Sequence, residues 1–331
     1  MTVQEHAVPS PHFPQPAWAR SGRWIGIDTG SQAFGLFCGC LLAFAASISF
    51  AWSRAGILGG MYAADLCLLR FAVAGAILLP VLLRYGALSL AGIGWPRGLV
   101  LLVTGGPLFI LPQAAGYAFA PLAHGGVIAP ATVTIGSTIM AAVFLRERLG
   151  VAHMIGAALV ITGIVLISWH GLYAEPGSRT WIGDLLFVGS SLLWAGFTVL
   201  LRLWRLEALR AIAVVSVLSA LVMIPGYLLF VGIPHLRSLP IETVILQGVL
   251  QGGLQGVLGI VAYSHAIRVL GVSRAVLFPA SIPAVSILIG IPILGELPYP
   301  EQIAGVALVT MGLLTTIGVF HRRRSTGRAS S

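Results

Sequence analysis

The stretch "PATVTIGSTIMAAVFLRERLG", Pro130 to Gly150, is apolar or weakly polar as far as Leu145 and then turns into Arg146-Glu147-Arg148. A paler copy, "PASIPAVSILIGIPILGELPY", runs from Pro279 to Tyr299. An offset of 149 residues pairs Val127 with Val276, Pro130 with Pro279, Ala131 with Ala280, Ser137 with Ser286, Leu145 with Leu294 and Glu147 with Glu296. It continues through Gly156 with Gly305, Ala158 with Ala307, Leu159 with Leu308, Val160 with Val309 and Gly163 with Gly312. Eleven identities over 37 positions, a Pro, a Glu and two Gly among them, exceed what shared apolar composition supplies, so the chain is a duplication.

What is duplicated follows from composition. Of 331 residues 57% are hydrophobic and 9% charged, against roughly a quarter charged in an ordinary soluble domain. Apolar runs recur at about 18 to 25 residues, long enough to cross a hydrocarbon core of roughly 30 Å. Ten spans are expected, at approximately 31 to 52, 65 to 83, 98 to 119, 124 to 145, 151 to 169, 182 to 201, 211 to 231, 244 to 266, 273 to 294 and 300 to 320. They are expected to be helices, because lipid satisfies no backbone group and the runs lack the alternation of barrel strands. The fold expected is an all-α integral membrane protein of ten transmembrane helices.

The net charge of +9 is carried by 19 basic residues, every one of them Arg. If the amino terminus is cytoplasmic, fifteen lie in inner segments, and only Arg54, Arg179 and Arg237 lie in outer connections, with Arg70 inside a span. The positive-inside rule then puts both termini in the cytoplasm. The basic "HRRRSTGR" tail reads as a stop signal beside anionic lipid, and no nucleic-acid partner is expected. Residues 1–30, Pro-rich and polar, read as a disordered cytoplasmic tail, and 321–331 as a basic one. The absence of both Lys and Asn is a coding signature of a GC-rich genome, so a bacterial inner membrane is the expected location. Cys38, Cys40 and Cys67 have no metal-type spacing and read as small packing residues.

Each copy, 31–170 and 171–320, holds five spans, and an odd number inserts the second copy upside down relative to the first. On this reading Glu147 ends the fourth span inside and Glu296 ends the ninth outside, one structural device used twice. Inverted repeats are a recurring plan in secondary transporters, where the halves enclose a site near the midplane.

The paired repeat ends "FLRERLGVAHMIGAALVITGIVLI" and "ILGELPYPEQIAGVALVTMGLLTTI" resemble those of the EamA family of the drug/metabolite transporter superfamily. So do "LLRFAVAGAILLPVLL", "WIGDLLFVGSSLLWAGF" and "AYSHAIRVLGVSRAVLFPASIPAV". The resemblance covers about residues 31 to 320 and rests on the ordered set of strings, each of them mostly apolar. It implies a ten-helix bundle that moves small organic solutes, often outward, through a cavity between the halves.

Candidate residues for the pathway are few. In "LQGVLQGGLQGVLG" Gln247, Gln251 and Gln255 stand four apart beside Gly248, Gly252 and Gly256. At about 100° per residue each stripe keeps to one face. It serves either helix packing or a cavity wall, Gln255 being nearest the middle of the span. Arg70 is a fixed charge near hydrocarbon that has to pair, snorkel or face water, with Asp65 as a partner, or serve as a clamp for a solute carboxylate. Gln113, Tyr117, His124, Tyr263 and His265 complete the solute-binding candidates. The last four also read as solvated or interfacial aromatics near span ends, and His265 is a candidate proton relay. Asp184 reads as a helix-start acid beside the dipole's positive end. Pro107, Pro112, Pro130, Pro279 and Pro283, deep in spans, either kink helices or free backbone carbonyls to a cavity.

The function expected is secondary transport, with export of neutral or zwitterionic metabolites such as amino acids by alternating access. No phosphate-binding loop is present, no cofactor or metal site is expected, protons are a candidate coupling ion, and a homodimer is compatible with the sequence. Two rivals are a polytopic membrane enzyme, disfavoured because no "HExxH" or "GxSxG" occurs, and a solute receptor.

Overall fold

The computed structural model describes residues 23–24, 27–28, 31–146, 150–169, 179–275 and 277–316. Arg23–Trp24 (β1) and Ile27–Asp28 (β2) form a minimal antiparallel pair. The rest is helix and short connection. The first half comprises α1 (Gln32–Leu58), α2 (Ala63–Tyr85), α3 (Trp95–Gly105), α4 (Pro107–Gly116), α5 (Leu122–Phe144) and α6 (Val151–Trp169). In the second half α7 (Thr180–Leu203), α8 (Ala208–Phe230), the short α9 (Ile233–Ser238) and α10 (Ile241–Gln247) come first. A π-helical segment, Gly248–Leu258, follows, then α11 (Gly259–Leu270), α12 (Val272–Ala275), α13 (Leu277–Leu294) and α14 (Pro300–Thr316).

Among the described residues nine helical stretches are long and apolar enough to cross a bilayer. The described part of the tenth expected span, α14, is 17 residues long. Outward faces carry Phe37, Leu83, Val143, Met154, Leu221 and Leu288, all exposed. Apolar surface on that scale, which water would not tolerate, belongs against lipid, and the chain is an integral membrane protein.

Local chemistry sets the boundaries. Ser31 caps α1, its hydroxyl accepting the Phe34 N–H at 3.2 Å. Asp65, in the first turn of α2, reaches back to accept the Tyr62 N–H at 2.6 Å. The third span is not the single helix expected over 98 to 119, because it breaks at Gly106. A Cβ on that residue would lie 2.3 Å from the Leu102 carbonyl, and Pro107 then opens α4 as its first residue. Pro130 is interior to α5, whereas Pro279 is the third residue of α13, where a missing N–H costs no helical bond. The expectation that both members of this repeat pair lie deep in a helix therefore holds for Pro130 alone. Its partner pair, Glu147 and Glu296, is only half visible, since Glu147 lies outside the described residues.

Lipid tails are as apolar as leucine, so burial does not drive these helices together; close backbone approach and hydrogen bonds do. The tightest crossing joins α6 to α14. A Cβ on Gly156 would lie 2.7 Å from the Gly312 carbonyl, and one on Gly163 would lie 2.7 Å from that of Gly305. The earlier glycine of α6 meets the later one of α14, so the two helices run antiparallel. The remaining contacts pair up in the same way. α5 packs on α7 as α13 packs on α1, and α4 packs on α7 as the π segment and α11 pack on α1. α2 packs on α8, and α5 on α13. Exchanging the two halves of the chain returns each of these pairings.

Candidate solute pathway

The end of the bundle where α1 begins is termed proximal below, and the end where it finishes distal. At the proximal end Phe34 meets His265 edge-on, with ring centroids 5.1 Å apart, and Arg268 Nη2 donates to His265 Nδ1 at 2.6 Å. Tyr263 packs there with Phe34, Leu41 and Ile267 around buried Cys38. Arginine–aromatic pairs complete this end. The Arg97 guanidinium lies over Trp204 at 5.6 Å and that of Arg210 over Tyr85 at 4.1 Å.

The middle holds the glutamine stripe, and its backbone differs from the expectation. Gly248–Leu258 is π-helical, so the α-helical turn of about 100° per residue does not apply along it; such wide turns concentrate at functional sites. Gln251 Nε2 donates to Ser49 O at 3.0 Å, Ser53 Oγ at 2.8 Å and Gln247 Oε1 at 3.3 Å. Gln247 Nε2 donates to Trp52 O at 2.5 Å, and Ser49 Oγ returns a bond to Leu250 O at 3.1 Å. Those two glutamines fasten the π segment to α1. Gln255 is different, because its Oε1 is buried with no hydrogen-bond partner among the described residues.

Gln113 is buried on α4, and Arg70 is half-buried on α2. Neither makes a side-chain hydrogen bond or ion pair to another described residue. Near them Trp194 stacks between Phe109 and Phe197, at 4.9 and 4.7 Å, within the cluster that also contains Cys67 and Phe71 of α2.

The distal end carries three polar clusters. Arg54 Nε lies 2.9 Å from Glu296 Oε1, its Nη1 donates to the Tyr117 carbonyl, and Glu296 Oε2 accepts the Leu122 N–H at 2.8 Å. Asp65, fully buried, accepts from the Tyr227 hydroxyl and from His235 Nε2 at 3.0 Å, and the His235 ring stacks on Tyr62 at 3.9 Å. His124 Nδ1 lies 2.7 Å from Asp184 Oδ1, and the other carboxylate oxygen accepts the Ser168 hydroxyl at 2.6 Å. Gln302 Nε2 approaches His124 Nε2 at 3.3 Å. A pocket of about 270 Å³ adjoins these groups, lined by Leu122, Ala123, Glu296, Tyr299 and Gln302.

Several expectations change. Arg54 stands inside α1, before its last turn, and not in a connection. Asp65 does not pair with Arg70, because its oxygens are taken by Tyr62, His235 and Tyr227. His124 is not interfacial, since it is 1% exposed. Asp184, placed after the first turn of α7, serves that histidine. The Tyr117 ring is core, packed on Phe187 at 4.9 Å and beneath Gly125, and its hydroxyl has no partner among the described residues. The predicted binding residues thus do not form one cluster: Tyr117 is in the distal core with Gln113 one turn before it on α4, Arg70 is on α2, Gln251 and Gln255 are on the π segment, and Tyr263 and His265 are proximal. The distal clusters escaped the sequence reading because the partners that join the two halves lie 60 to 242 residues apart. The available signal was a carboxylate or histidine inside an apolar run.

These features define a polytopic helical membrane protein. The EamA-like transporter family matches it twice, over residues 33–169 and 181–318, and the chain belongs to that family. A "Probable terminal-alkyne amino-acid exporter" of Streptantibioticus cattleyicolor is 25% identical over 199 residues, 60% of this chain. The aligned part spans 63% of that relative's length. A protein crystal structure matches with a TM-score of 0.60 at 20% identity, over 89% of this chain and 98% of its own. That likeness concerns the fold.

Proposed function

We propose that this protein is a secondary transporter, working as an exporter, that carries small neutral or zwitterionic organic solutes, amino acids among them. It does so by alternating access between two inverted five-helix repeats, 31–170 and 171–320. The observation that carries this reading is the division of labour at the distal end. Each of its three clusters joins a residue of the first family match (Arg54, Asp65, His124) to one of the second (Glu296, Tyr227, Asp184). Polar contacts that water can replace hold the halves together there, as a seam that opens requires. The antiparallel crossing of α6 and α14 supports the inversion, and the apolar run over 300 to 320 in the sequence supports a tenth span.

On the arginine distribution the distal end faces out and both termini lie in the cytoplasm of a bacterial inner membrane. Arg70, Gln113 and Gln255, each with unmet hydrogen-bonding capacity within the spans, are the binding groups. A guanidinium takes a carboxylate, amides take an ammonium or a neutral polar group, and the Phe109–Trp194–Phe197 stack accepts an apolar side chain. The relative named as an amino-acid exporter supports that class.

Counterflow tests this. Full-length protein in liposomes preloaded with one unlabelled amino acid accumulates the labelled form when that amino acid is a substrate. Arg70→Ala reduces accumulation at least about tenfold, as loss of a charge-assisted contact implies, while the thermal midpoint stays within a few degrees. No counterflow with any neutral or zwitterionic amino acid, or flux indifferent to Arg70 and Gln255, overturns the reading.

A further inference from the structure

We propose that His124 and Asp184 form a proton-binding site loaded from the distal pocket, and that loading it releases Gln302 and so unseats the start of α14. The inference rests on the transporter reading and names its coupling ion and where that ion binds.

The hydrogen-bond network fixes the unloaded state. Gln302 Oε1 accepts the Tyr299 N–H at 3.1 Å, which turns the amide nitrogen toward His124 Nε2, 3.3 Å away. That nitrogen only donates, so Nε2 is the acceptor and His124 holds its single proton on Nδ1, facing Asp184 Oδ1 at 2.7 Å. Ser168 donates to Oδ2, and every polar group in the chain of contacts is satisfied with the imidazole neutral and the carboxylate ionised. The pair then carries one net negative charge in a place where His124 is 1% exposed.

The free base of the imidazole in this network is the Nε2 lone pair, and a proton entering from outside binds there. It makes the pair electrically neutral, which burial favours. It also sets an Nε2–H against the Gln302 N–H, donor against donor, and the amide cannot turn over without abandoning Tyr299. Neutralisation therefore costs either the Gln302–His124 contact between α14 and α5 or the Tyr299 N–H bond at the start of α14, and both seat that helix. The route is short, because Gln302 lines the pocket along with Leu122 and Ala123, and the pocket rim at Leu297 is 74% exposed. Other charged groups around His124 are already engaged, with Arg54 and Glu296 paired beside Leu122 and Glu301 turned outward on α14. Tyr117, beneath Gly125, is the nearby phenol. Four spans meet at this dyad, two from each family match: α5 and α6 with α7 and α14.

The test measures the seating of α14 directly. Full-length protein with Cys38, Cys40 and Cys67 replaced by Ala carries spin labels at Phe119→Cys and Ile303→Cys, both exposed positions. In nanodiscs, pulsed-dipolar distances between the labels are recorded from about pH 5 to pH 8.5. A second distance population grows as the pH falls. It is absent in His124→Gln and Asp184→Asn and retained in His265→Gln. In Gln302→Glu, whose carboxylate can accept from both Tyr299 N–H and an Nε2–H, the labels keep the high-pH distance at all values, because protonation no longer opposes the contact.

Distances that ignore pH in the parent, or a transition that survives both His124→Gln and Gln302→Glu, overturn the inference. Should the histidine variant not fold, the glutamate variant decides alone. Counterflow separates this result from the transport reading. Flux without a pH-dependent distance removes only the proton site, and a pH-dependent distance without flux of any solute removes only the reading.

Discussion

Arg54 Nε sits 2.9 Å from Glu296 Oε1, and this contact ties the distal part of α1 to a residue just beyond the end of α13, across 242 positions of sequence. Both side chains are mostly buried, at 15% and 26% exposed. Arg54→Met strands the carboxylate and leaves the Tyr117 carbonyl without its donor, so a loss of about 1–3 kcal/mol is expected. The double variant Arg54→Met/Glu296→Gln regains part of it, since an amide oxygen still serves the Leu122 N–H and no charge is left alone. Thermal or denaturant unfolding in detergent, arranged as a double-mutant cycle, measures the coupling; strictly additive losses would contradict the contact.

Glycines at two kinds of site respond oppositely to alanine. Gly163→Ala puts a Cβ 2.7 Å from the Gly305 carbonyl and forces α6 and α14 apart, at about 1–3 kcal/mol. Gly189, inside α7, has nothing within 4 Å of the same added atom. Gly189→Ala is therefore neutral or stabilising by up to about 1 kcal/mol. Melting temperatures of the two variants in one detergent check the contrast.

Gln251 and Gln255 look alike in the sequence and differ in their bonding. Gln251→Leu removes three donated bonds to the π segment's own chain and to α1, and lowers stability by about 1–2 kcal/mol. Gln255→Leu removes an oxygen that has no protein partner among the described residues, so unfolding is little changed and counterflow falls. Equal effects of the two on stability would show that Gln255 is packing too.

Tyr227→Phe deletes one donor to a fully buried carboxylate. Asp65 keeps His235 and the Tyr62 N–H, so the variant folds and unfolds about 1–3 kcal/mol more easily. His235→Gln should cost less, because its ring is partly exposed.

Much of the fold was legible because lipid imposes a simple code: length, hydropathy and the offset of 149 residues suffice to find the spans and the duplication. The glycines that proved decisive, Gly156, Gly163, Gly305 and Gly312, were already visible as repeat identities. Their partners were not, since which faces cross is a tertiary fact. The π segment escaped because a helix of wider turn still keeps residues four apart on neighbouring faces, so the Gln and Gly stripes read the same under either geometry. The break at Gly106 was signalled by Pro107 but could equally have been a kink. Charged and polar groups were harder. Asp65 stands five residues from Arg70, and local spacing suggested a pair that the Tyr227 and His235 contacts displace.

At the crossing of α6 and α14 each glycine is a notch that receives a side chain of the other helix: Val160 lies over Gly312, Ile167 over Gly305 and Val309 over Gly163. Ridges keyed into notches on both sides resist sliding and turning of one helix against the other. Such a joint behaves as a clasp, so the last helix of each repeat moves with its partner as one piece, and any rocking of the halves has to be taken up elsewhere in the bundle.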